Sequence, residues 1–440
     1  MMRYKNSMYN YILDDEDKII LFNSYTEKIA CSEKSGVIRK IIARESDVDV
    51  GQEARMIADG FLVRENENEI AKGNLKYYDK IYGRMLSLTI MPTEQCNFRC
   101  KYCYEKFEKG RMSEEISTGV IKYLKKNLSS YSGLDISWFG GEPLLAVDII
   151  EKMSKEICQL CKKLKKPYLA GMTTNGYYLT PEILERLLKY RIYHYQITLD
   201  GTEHDHNKYR VLGDGSPTFN VIMENLKRIS KQISSKRLKI SIRVNLTKET
   251  YKNLDDFMIL MIKEFGQDER FDIFVRPVGN WGGDRVQQIQ PDLFGQVTPF
   301  FSKLLEYKKK TPFKFGNYAK MLNGGVCYAA VRNNYVIGSD GKIYKCTLHF
   351  EKDFNQIGRV LTNVGFDIDY AKLAKWITPD CVPEKCKGCF MAHACPGGQC
   401  AAQRMIAGKT TNINCGYEMN DLDNLLRLIC ENPDENVIIY

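Results

Sequence analysis

The segment Cys96-Asn-Phe-Arg-Cys100-Lys-Tyr-Cys103 decides how the rest of the chain is interpreted. It follows LSLTIM (86–91), an apolar run that predicts a β-strand. Three thiolates within eight residues can bind three irons of a [4Fe–4S] cluster and leave the fourth iron open for another ligand. A structural zinc ion usually takes four ligands, and no fourth Cys or His follows nearby. The spacing and the position after a strand therefore favour an iron–sulfur cluster.

Predicted strands and helices alternate around this segment, between residues 85 and 276. The intervening helices carry apolar residues at helical spacing, as in the stripe of Ile150, Met153 and Ile157. Such alternation predicts a parallel sheet with right-handed crossovers. The six predicted strands are LSLTIM (86–91), LDISWF (134–139), YLAGMTT (168–174), IYHYQITL (192–199), KISIRVNL (239–246) and FDIFVR (271–276).

These strands alternate polar and apolar residues, which is unusual for a parallel sheet covered on both faces. In KISIRVNL, for example, Ser241, Arg243 and Asn245 lie opposite the apolar residues. A complete eight-stranded barrel fills its interior with branched apolar side chains. We therefore predict an α/β fold with an open six-stranded partial (β/α)6 barrel and a polar, ligand-holding interior. Its catalytic groups are expected at the C-terminal ends of the strands.

Polar motifs stand at the ends of the predicted strands. The second strand ends in Gly140-Gly141-Glu142-Pro143, the third in Thr174-Asn175-Gly176 and the fourth in Thr198-Leu199-Asp200-Gly201. Together with the cysteine segment, these motifs resemble the radical S-adenosylmethionine (SAM) superfamily over residues 85–276. The resemblance implies that SAM binds the open iron. It also implies that reductive cleavage of SAM gives a 5′-deoxyadenosyl radical, which abstracts a hydrogen atom from the substrate.

The same resemblance implies roles for single residues. Tyr102 stands at the aromatic position that contacts adenine, and the motif around Glu142 binds the SAM amino group. Arg210 would pair with the SAM carboxylate or with substrate, while turn formation is the alternative interpretation of the Asn-Gly and Asp-Gly pairs. The residues expected around SAM are Tyr102, Gly140, Gly141, Glu142, Asn175, Thr198, Asp200 and Arg210.

A second group of cysteines lies in the C-terminal part of the chain. It resembles the SPASM extension, which holds two auxiliary [4Fe–4S] clusters in many peptide-modifying radical SAM enzymes. The family usually has three residues between the last two cysteines of its central run, whereas four separate Cys395 from Cys400 here. By the crossed pattern of the family, the first auxiliary cluster takes Cys327, Cys346 and Cys400, and the second takes Cys386, Cys389, Cys395 and Cys415.

The first auxiliary cluster lacks a clear fourth ligand. Asn333 occupies the position where some relatives have another cysteine. Either Cys381 completes the site, or the fourth iron is open to substrate. A zinc ribbon is the alternative for this region, but seven or eight cysteines exceed one zinc site. The remaining cysteines are expected to be small core residues, namely Cys31, Cys158, Cys161 and Cys430.

The N-terminal segment and the cysteine distribution predict three domains. Residues 1–84 have the outline of a winged-helix-like module, a strand pair followed by two helices. The predicted strands are YNYILDD (9–15) and KIILFNS (18–24), and the predicted helices are SGVIRKIIAR (35–44) and EARMIADGFLV (53–63). This outline resembles the leader-recognition module of peptide maturases, which captures an extended leader by adding it as a strand. A structural cap is the alternative. We assign 1–84 to peptide recognition, 85–310 to the radical SAM partial barrel, and 311–440 to the cysteine-rich Fe–S domain of the SPASM kind.

Composition limits the cellular setting. The 440 residues include 15 cysteines, and neither a signal-like N-terminus nor an apolar run of membrane-spanning length is present. A cytoplasmic protein with reduced, metal-binding thiols is expected, with no membrane partner. The net charge of +9 comes largely from solvated helix faces such as LCKKLKKP, so no nucleic-acid partner is expected.

The resemblance implies an anaerobic oxidoreductase that modifies peptides. Our leading hypothesis is a maturase that forms an intramolecular cross-link, a thioether or a carbon–carbon bond, in a ribosomally made precursor peptide with a leader (RiPP). Flavodoxin or ferredoxin would supply the electron. The alternatives are a quinone-cofactor-type oxidoreductase and an anaerobic sulfatase maturase, although Thr347 replaces the catalytic Asp of sulfatase maturases. A non-catalytic Fe–S sensor is also considered, but a sensor has no need of the SAM-binding motifs.

Overall fold

The computed structural model describes most of the chain. The described residues are 3–15, 17–33, 36–43, 49–279, 285–293, 302–303, 306–307, 314–315, 326–378, 382, 384–395, 400–407, 419–431 and 437–439. Cys381 and Cys415 lie outside these ranges, so what the sequence predicts for them stays a prediction. Among the described residues, none of the helices combines the length and apolar character that a membrane span requires.

The N-terminal residues form a small antiparallel sheet with helices packed against it. Strands β2, β3 and β4 pair in chain order, and the short strands β1 and β5 pair with each other. The elements are β1 (Tyr4–Asn6), β2 (Asn10–Asp14), β3 (Lys18–Asn23), β4 (Lys28–Glu33), α1 (Val37–Ala43), α2 (Val50–Ala58), β5 (Leu62–Arg64) and α3 (Glu69–Ile81).

The predicted strand pair corresponds to β2 and β3, but the second predicted helix is wrong at its end. The sequence EARMIADGFLV (53–63) reads as one helix, whereas α2 ends at Ala58. Gly60 adopts a φ of 85°, which turns the chain, and Leu62–Arg64 then pairs with β1. The winged-helix interpretation of residues 1–84 stays a prediction.

Six parallel strands form the centre of the largest sheet, and each lies within two residues of a predicted strand. They pair in chain order from β6 to β11. The strands are β6 (Met85–Ile90), β7 (Gly133–Trp138), β8 (Tyr168–Thr174), β9 (His194–Thr198), β10 (Lys239–Leu246) and β11 (Phe271–Pro277). The helices between and beside them are α4 (Glu114–Asn127), α5 (Val147–Lys163), α6 (Pro181–Leu188), α7 (Glu203–Tyr209), α8 (Phe219–Gln232), α9 (Lys248–Lys252) and α10 (Leu254–Phe265).

The sheet continues beyond the predicted strands on both sides and, within the described part of the chain, reaches eleven strands. Strand β12 (Lys314–Phe315) pairs in parallel with β11, and β13 (Asn334–Ile337) pairs in parallel with β6. The antiparallel strands β14 (Lys342–Tyr344), β15 (Gln356–Leu361) and β16 (Gly365–Ile368) follow. Residues that the sequence assigns to a separate C-terminal domain are therefore hydrogen-bonded into the sheet.

The last described elements return to the N-terminal sheet. They are α11 (Tyr370–Ile377), α12 (Glu384–Lys387), α13 (Ala401–Ala407), α14 (Met419–Glu431) and β17 (Val437–Ile439). Strand β17 pairs in parallel with β4, so the two ends of the chain share one sheet.

The predicted separation of polar and apolar strand faces is observed. Polar positions of β7 to β11 line a cleft of about 430 Å³. The apolar positions between them are buried, as are Ile136, Tyr195 and Ile242. The polar lining includes Asp135, Ser137, Thr173, Gln196, Ser241 and Asp272.

Helix α4 holds the β15–β16 hairpin at a close approach. A Cβ atom at Gly119 would lie 2.5 Å from Cγ1 of Val360 and 3.0 Å from the carbonyl oxygen of Leu361. One turn later, the ring of Tyr123 stacks on Phe366 with 3.8 Å between ring centroids. The small residue therefore lets the helix lie directly against the hairpin.

We predict that Gly119→Ala lowers the thermal-unfolding midpoint by a few degrees. Alanine normally stabilises a helix interior by about 1 kcal/mol relative to glycine, but overpacking costs roughly 1–3 kcal/mol. Adding Val360→Ala should recover part of the loss, because it removes the closest contact. A midpoint that rises in Gly119→Ala would contradict this account of the packing.

Candidate active site

A pocket of about 200 Å³ lies at the C-terminal ends of β7 to β10, next to the cysteine segment. It gathers most of the residues that the sequence assigns to SAM. Glu142 and Asp200 do not line it and are fully buried. The predicted residues in its lining are Cys96, Cys100, Tyr102, Cys103, Gly140, Gly141, Asn175, Thr198 and Arg210.

The three cysteines of the loop lie in a poorly solvated environment. Cys100 is buried, and Cys96 and Cys103 are half-buried. Burial raises the pKa of all three thiols, that of Cys103 to about 12. Metal ligation requires thiolates, and a thiolate here needs a positive partner to offset its lost hydration. Three sulfur donors in such a place fit an iron–sulfur cluster.

The hydroxyl group of Tyr102 joins the cysteine loop to the strand ends. It donates to Oδ2 of Asp200, which follows β9. It also accepts from Nη1 of Arg210 at 2.9 Å and from Nδ2 of Asn245 on β10 at 3.1 Å. Oδ1 of Asp200 accepts the backbone N–H of Asn245 at 2.8 Å. Asp200 therefore positions Tyr102 and the end of β10.

Arg210 provides a buried cation beside the thiols. Its side chain is only 6% exposed, and its guanidinium lies 5.3 Å from the ring centroid of Phe98. Its positive charge opposes the rise in the pKa of Cys100. Nε of Arg210 is buried and has no hydrogen-bond partner in the described residues. This unpartnered donor at the pocket fits an anionic group such as the SAM carboxylate.

Both carboxylate oxygens of Glu142 accept hydrogen bonds from neighbouring parts of the fold. Its Oε1 atom accepts from the backbone N–H of Leu144 at 3.0 Å and from Oγ1 of Thr174 at 2.7 Å. Its Oε2 atom accepts from the backbone N–H of Asn175 at 2.7 Å. Burial raises the pKa of this carboxyl, and the three hydrogen bonds oppose the rise. Glu142 thus ties the ends of β7 and β8 together, and its contact with SAM stays a prediction.

The two glycines let the end of β7 approach the cysteine loop. Gly140 has a φ of 121°, and a Cβ atom there would lie 2.2 Å from the carbonyl oxygen of Thr93. A Cβ atom at Gly141 would lie 2.4 Å from the carbonyl oxygen of Glu94. Side chains at these positions would push away the backbone that leads into Cys96.

Comparison with known proteins identifies this part of the chain. Residues 90–261 match the family model described as the Radical SAM superfamily. These residues form a radical SAM domain. Members of the superfamily are enzymes that perform radical redox chemistry with SAM and a [4Fe–4S] cluster. The resemblance stated from the motifs is confirmed.

Other comparisons extend beyond the radical SAM domain. The chain is 22% identical to a cysteine-type anaerobic sulfatase-maturating enzyme of Clostridium novyi, over 72% of this chain and 88% of that protein. Another curated relative, 23% identical, is matched over only 40% of its own length. A structure of anSMEcpe with AdoMet and the Cp18Cys peptide has a TM-score of 0.58 at 19% identity, covering 79% of this chain and 97% of the other. The structure of Streptococcus suis SuiB bound to its precursor peptide SuiA has a TM-score of 0.52 at 16% identity. It covers 93% of this chain and 98% of the SuiB chain. At these identities the structural likeness shows the fold.

The cysteines assigned to the first auxiliary cluster lie near one another. The charges of Cys327 and Cys400 both act to raise the pKa of Cys346, although burial is the main cause of its rise to about 11. Cys346 Sγ accepts the backbone N–H of Leu348 at 3.3 Å. Among the described residues, no three Cys, His, Asp or Glu side chains are close enough to hold a single metal ion.

Three of the four cysteines assigned to the second auxiliary cluster, Cys386, Cys389 and Cys395, lie in a compact turn. The backbone N–H of Cys389 donates to the carbonyl of Cys386 at 3.3 Å, and that of Cys395 donates to Met391 at 2.9 Å. Tyr11 of β2 packs on Phe390 in this turn, with ring centroids 5.0 Å apart. The turn therefore connects the N-terminal sheet to the cysteine-rich segment.

The structure adds residues that the sequence reasoning missed. Tyr104 and Glu105 line the pocket of about 200 Å³ and also a second cavity of about 490 Å³. In the described residues Oε2 of Glu105 is buried without a hydrogen-bond partner, and burial raises the pKa of this carboxyl to about 8. Burial raises the pKa of Tyr104, and the charges of Glu105, Cys103 and Cys346 add to the rise. The position of Tyr104 and Glu105 directly after Cys103 was the available sequence signal.

We predict that Gly140→Ala lowers the iron content of the reconstituted radical SAM domain. The added methyl group must displace the carbonyl of Thr93, which leads into the cysteine loop. Gly215→Ala is the matched control, because Gly215 also has a positive φ but an added Cβ atom there would have no other atom within 4 Å. The iron content and the affinity for SAM should both fall in Gly140→Ala and stay unchanged in Gly215→Ala. Equal iron loss in both would mean that backbone strain, rather than the close approach, is responsible.

Proposed function

We propose that this protein is a radical SAM oxidoreductase that matures a ribosomally made peptide by forming an intramolecular cross-link, either a thioether or a carbon–carbon bond. One observation carries the proposal. The SAM pocket and the cavity beside it share Tyr104 and Glu105, and the cavity is also lined by Tyr344 and His349, which stand on either side of Cys346 in the chain. A substrate in this cavity would lie between the proposed SAM site and the proposed first auxiliary cluster.

The residues around the first pocket suit SAM. The thiolates of Cys96, Cys100 and Cys103 would hold the cluster, and Arg210 offers its unpartnered Nε to a carboxylate. When bound together, SAM and the reduced cluster supply a carbon radical able to abstract a hydrogen atom. Phe98, Phe107 and Phe139 add apolar surface to a lining that also holds polar side chains, and this apolar surface limits water near the reacting groups.

The second cavity suits a short peptide segment. Its volume of about 490 Å³ is within the usual range of ligand sites. One wall consists of residues just after Cys103, and the other consists of residues 342–352 around Cys346. Charged side chains of both signs line it, including Lys109, Glu105 and Lys352. These can bind backbone or side-chain groups of a peptide.

The N-terminal module would capture the leader of the precursor by strand addition. Its contacts with the turn of the second auxiliary cysteines support a role close to the cluster domain. Ser24 donates to the carbonyl of Phe390, and His393 Nε2 lies 3.1 Å from Ser24 Oγ. SuiB, whose structure covers nearly the same length of chain, was determined with its precursor peptide bound.

A sulfatase-maturase-like activity is the second candidate, because the Clostridium novyi relative spans most of this chain. At the position expected for the catalytic Asp, Oγ1 of Thr347 lies 2.8 Å from the hydroxyl of Tyr328. A threonine here cannot replace a carboxylate base. Peptide cross-linking therefore remains the better-supported candidate.

The function can be tested by incubating the reduced enzyme and SAM with small peptides encoded by neighbouring reading frames. A cross-linked product should lose two hydrogen atoms by mass, and a thioether should also remove one alkylatable thiol. Replacing Cys96, Cys100 and Cys103 with Ala should remove about four of ~12 reconstituted irons and abolish 5′-deoxyadenosine formation. The control variants Cys158→Ala and Cys161→Ala should retain the full iron content and the formation of 5′-deoxyadenosine. If the triple variant still cleaved SAM, the catalytic site would be misassigned.

A further variant asks whether the first auxiliary cluster has an open iron. We expect Cys381→Ala to leave the cluster spectrum and turnover unchanged, because Asn333 fills the usual fourth position and its side chain donates to the carbonyl of Gly83 at 2.8 Å. An open iron could bind a substrate thiolate directly. Loss of the auxiliary-cluster signal in Cys381→Ala, with the Cys158→Ala signal intact, would identify Cys381 as a ligand.

A further inference from the structure

The C-terminal strand occupies one edge of the N-terminal sheet. The order of this sheet is β17-β4-β3-β2, so a segment from the far end of the chain is an outer strand beside residues 10–33. Strand β17 runs parallel to β4. The Cα partners are Val437 with Ile29, Ile438 with Ala30, and Ile439 with Cys31.

The side chains of β17 enter both faces of the sheet. Ile438 is 7% exposed and belongs to a buried cluster with Leu21 and Ala30 of the sheet and Met56 of α2. Val437 packs against the separate cluster that contains Ile29. The edge of β4 therefore receives aliphatic side chains at alternate positions. Alternating side-chain slots beside an exposed ladder are how a sheet edge recognises an extended peptide.

The described residues of β17 pair with half of β4. Strand β4 has six residues, Lys28–Glu33, and Val437–Ile439 pair with three of them. An extended peptide that paired with all six would form more ladder hydrogen bonds than these three residues do. The advantage of β17 is its attachment to α14, since a tethered strand has a high effective concentration. Helix α14 is fixed to the same sheet, because Tyr11 donates to Asp423 at 2.6 Å and Arg427 donates to Asp15 at 2.9 Å.

We propose that Val437–Ile439 is a resident strand, and that an extended, aliphatic segment of the peptide substrate displaces it from β4. The proposal rests on the proposed function, because it supposes a peptide substrate. Displacement would expose the slot of Ile438 to an incoming side chain of similar size. Before a peptide binds, the resident strand would keep the edge of β4 covered, which prevents edge-to-edge association of the free enzyme.

The test measures binding of a labelled peptide with the sequence of residues 435–440, E-N-V-I-I-Y, by fluorescence anisotropy. The full-length holoenzyme carrying Ile438→Ala should bind it at least tenfold more tightly than the unchanged enzyme, because its resident strand is weakened. Ile12→Ala on β2, at an exposed aliphatic residue, is the matched control and should not change the affinity. A probe with Asp in place of the residue equivalent to Ile438 should not bind.

A chain that ends at residue 436 provides a second variant, and it should bind the probe at least as tightly as Ile438→Ala. Equal affinity of all variants for the probe would overturn the proposal, since it would mean that the peptide adds elsewhere, for example at β2. Failure of both weakened variants to bind the probe would also overturn it.

Peptides encoded by neighbouring reading frames then separate this proposal from the proposed function. A peptide that displaces the probe but is never modified supports strand exchange and contradicts peptide maturation. A peptide that is modified with the same KM by the unchanged enzyme and by Ile438→Ala leaves maturation intact and overturns strand exchange. A KM that falls in Ile438→Ala supports both.

Discussion

The hydrogen bonds of the Tyr102 hydroxyl fix the cysteine loop to the sheet. The backbone of the loop between Cys96 and Cys103 bonds to residues 209–213, as in the bridge of Phe98 with Leu212, but not to a strand of the central sheet. Tyr102 provides the link to the strand ends, because Asp200, Arg210 and Asn245 all bond to its hydroxyl oxygen. Since Asp200 and Arg210 are buried, their opposite charges on either side of the Tyr102 hydroxyl compensate each other in a poorly hydrated place. Loss of one partner would leave the other charge unpaired beside the thiols.

The centre of the fold could be predicted from the sequence because its signals are local. Alternating polarity marks each of the six strands, and the polar residues that face the cleft follow directly from the period of two. The gathering of the cysteine loop with Gly140 and Asn175 was also predictable, since the C-terminal ends of parallel strands meet at one edge. Because the period of two locates each strand, the predicted strand boundaries lie within two residues of the observed ones.

Other parts depend on contacts between distant residues, which a single sequence does not reveal. The pairing of β13 with β6 joins Asn334 to Ser87, and the pairing of β17 with β4 spans about four hundred residues. Strand β13 has four residues and β17 has three, too few for a periodic signal. The internal hydrogen bonds of Glu142 and the involvement of Asp200 with Tyr102 were likewise hidden, because their partners come from other strand ends.

The pairing of β13 with β6 has a further consequence for the proposed chemistry. Strand β6 leads into the cysteine loop, and the hairpin that β13 begins leads through β14 to Cys346, so continuous sheet hydrogen bonding sets the separation of the two cysteine sites. Part of the wall of the cavity between them, by contrast, is held by solvent-exposed contacts such as the ion pair of Lys106 with Glu351. Exposed ion pairs contribute little to stability and can change without cost to the fold. Substrate preference can therefore vary in these walls while the distance between the sites stays constant.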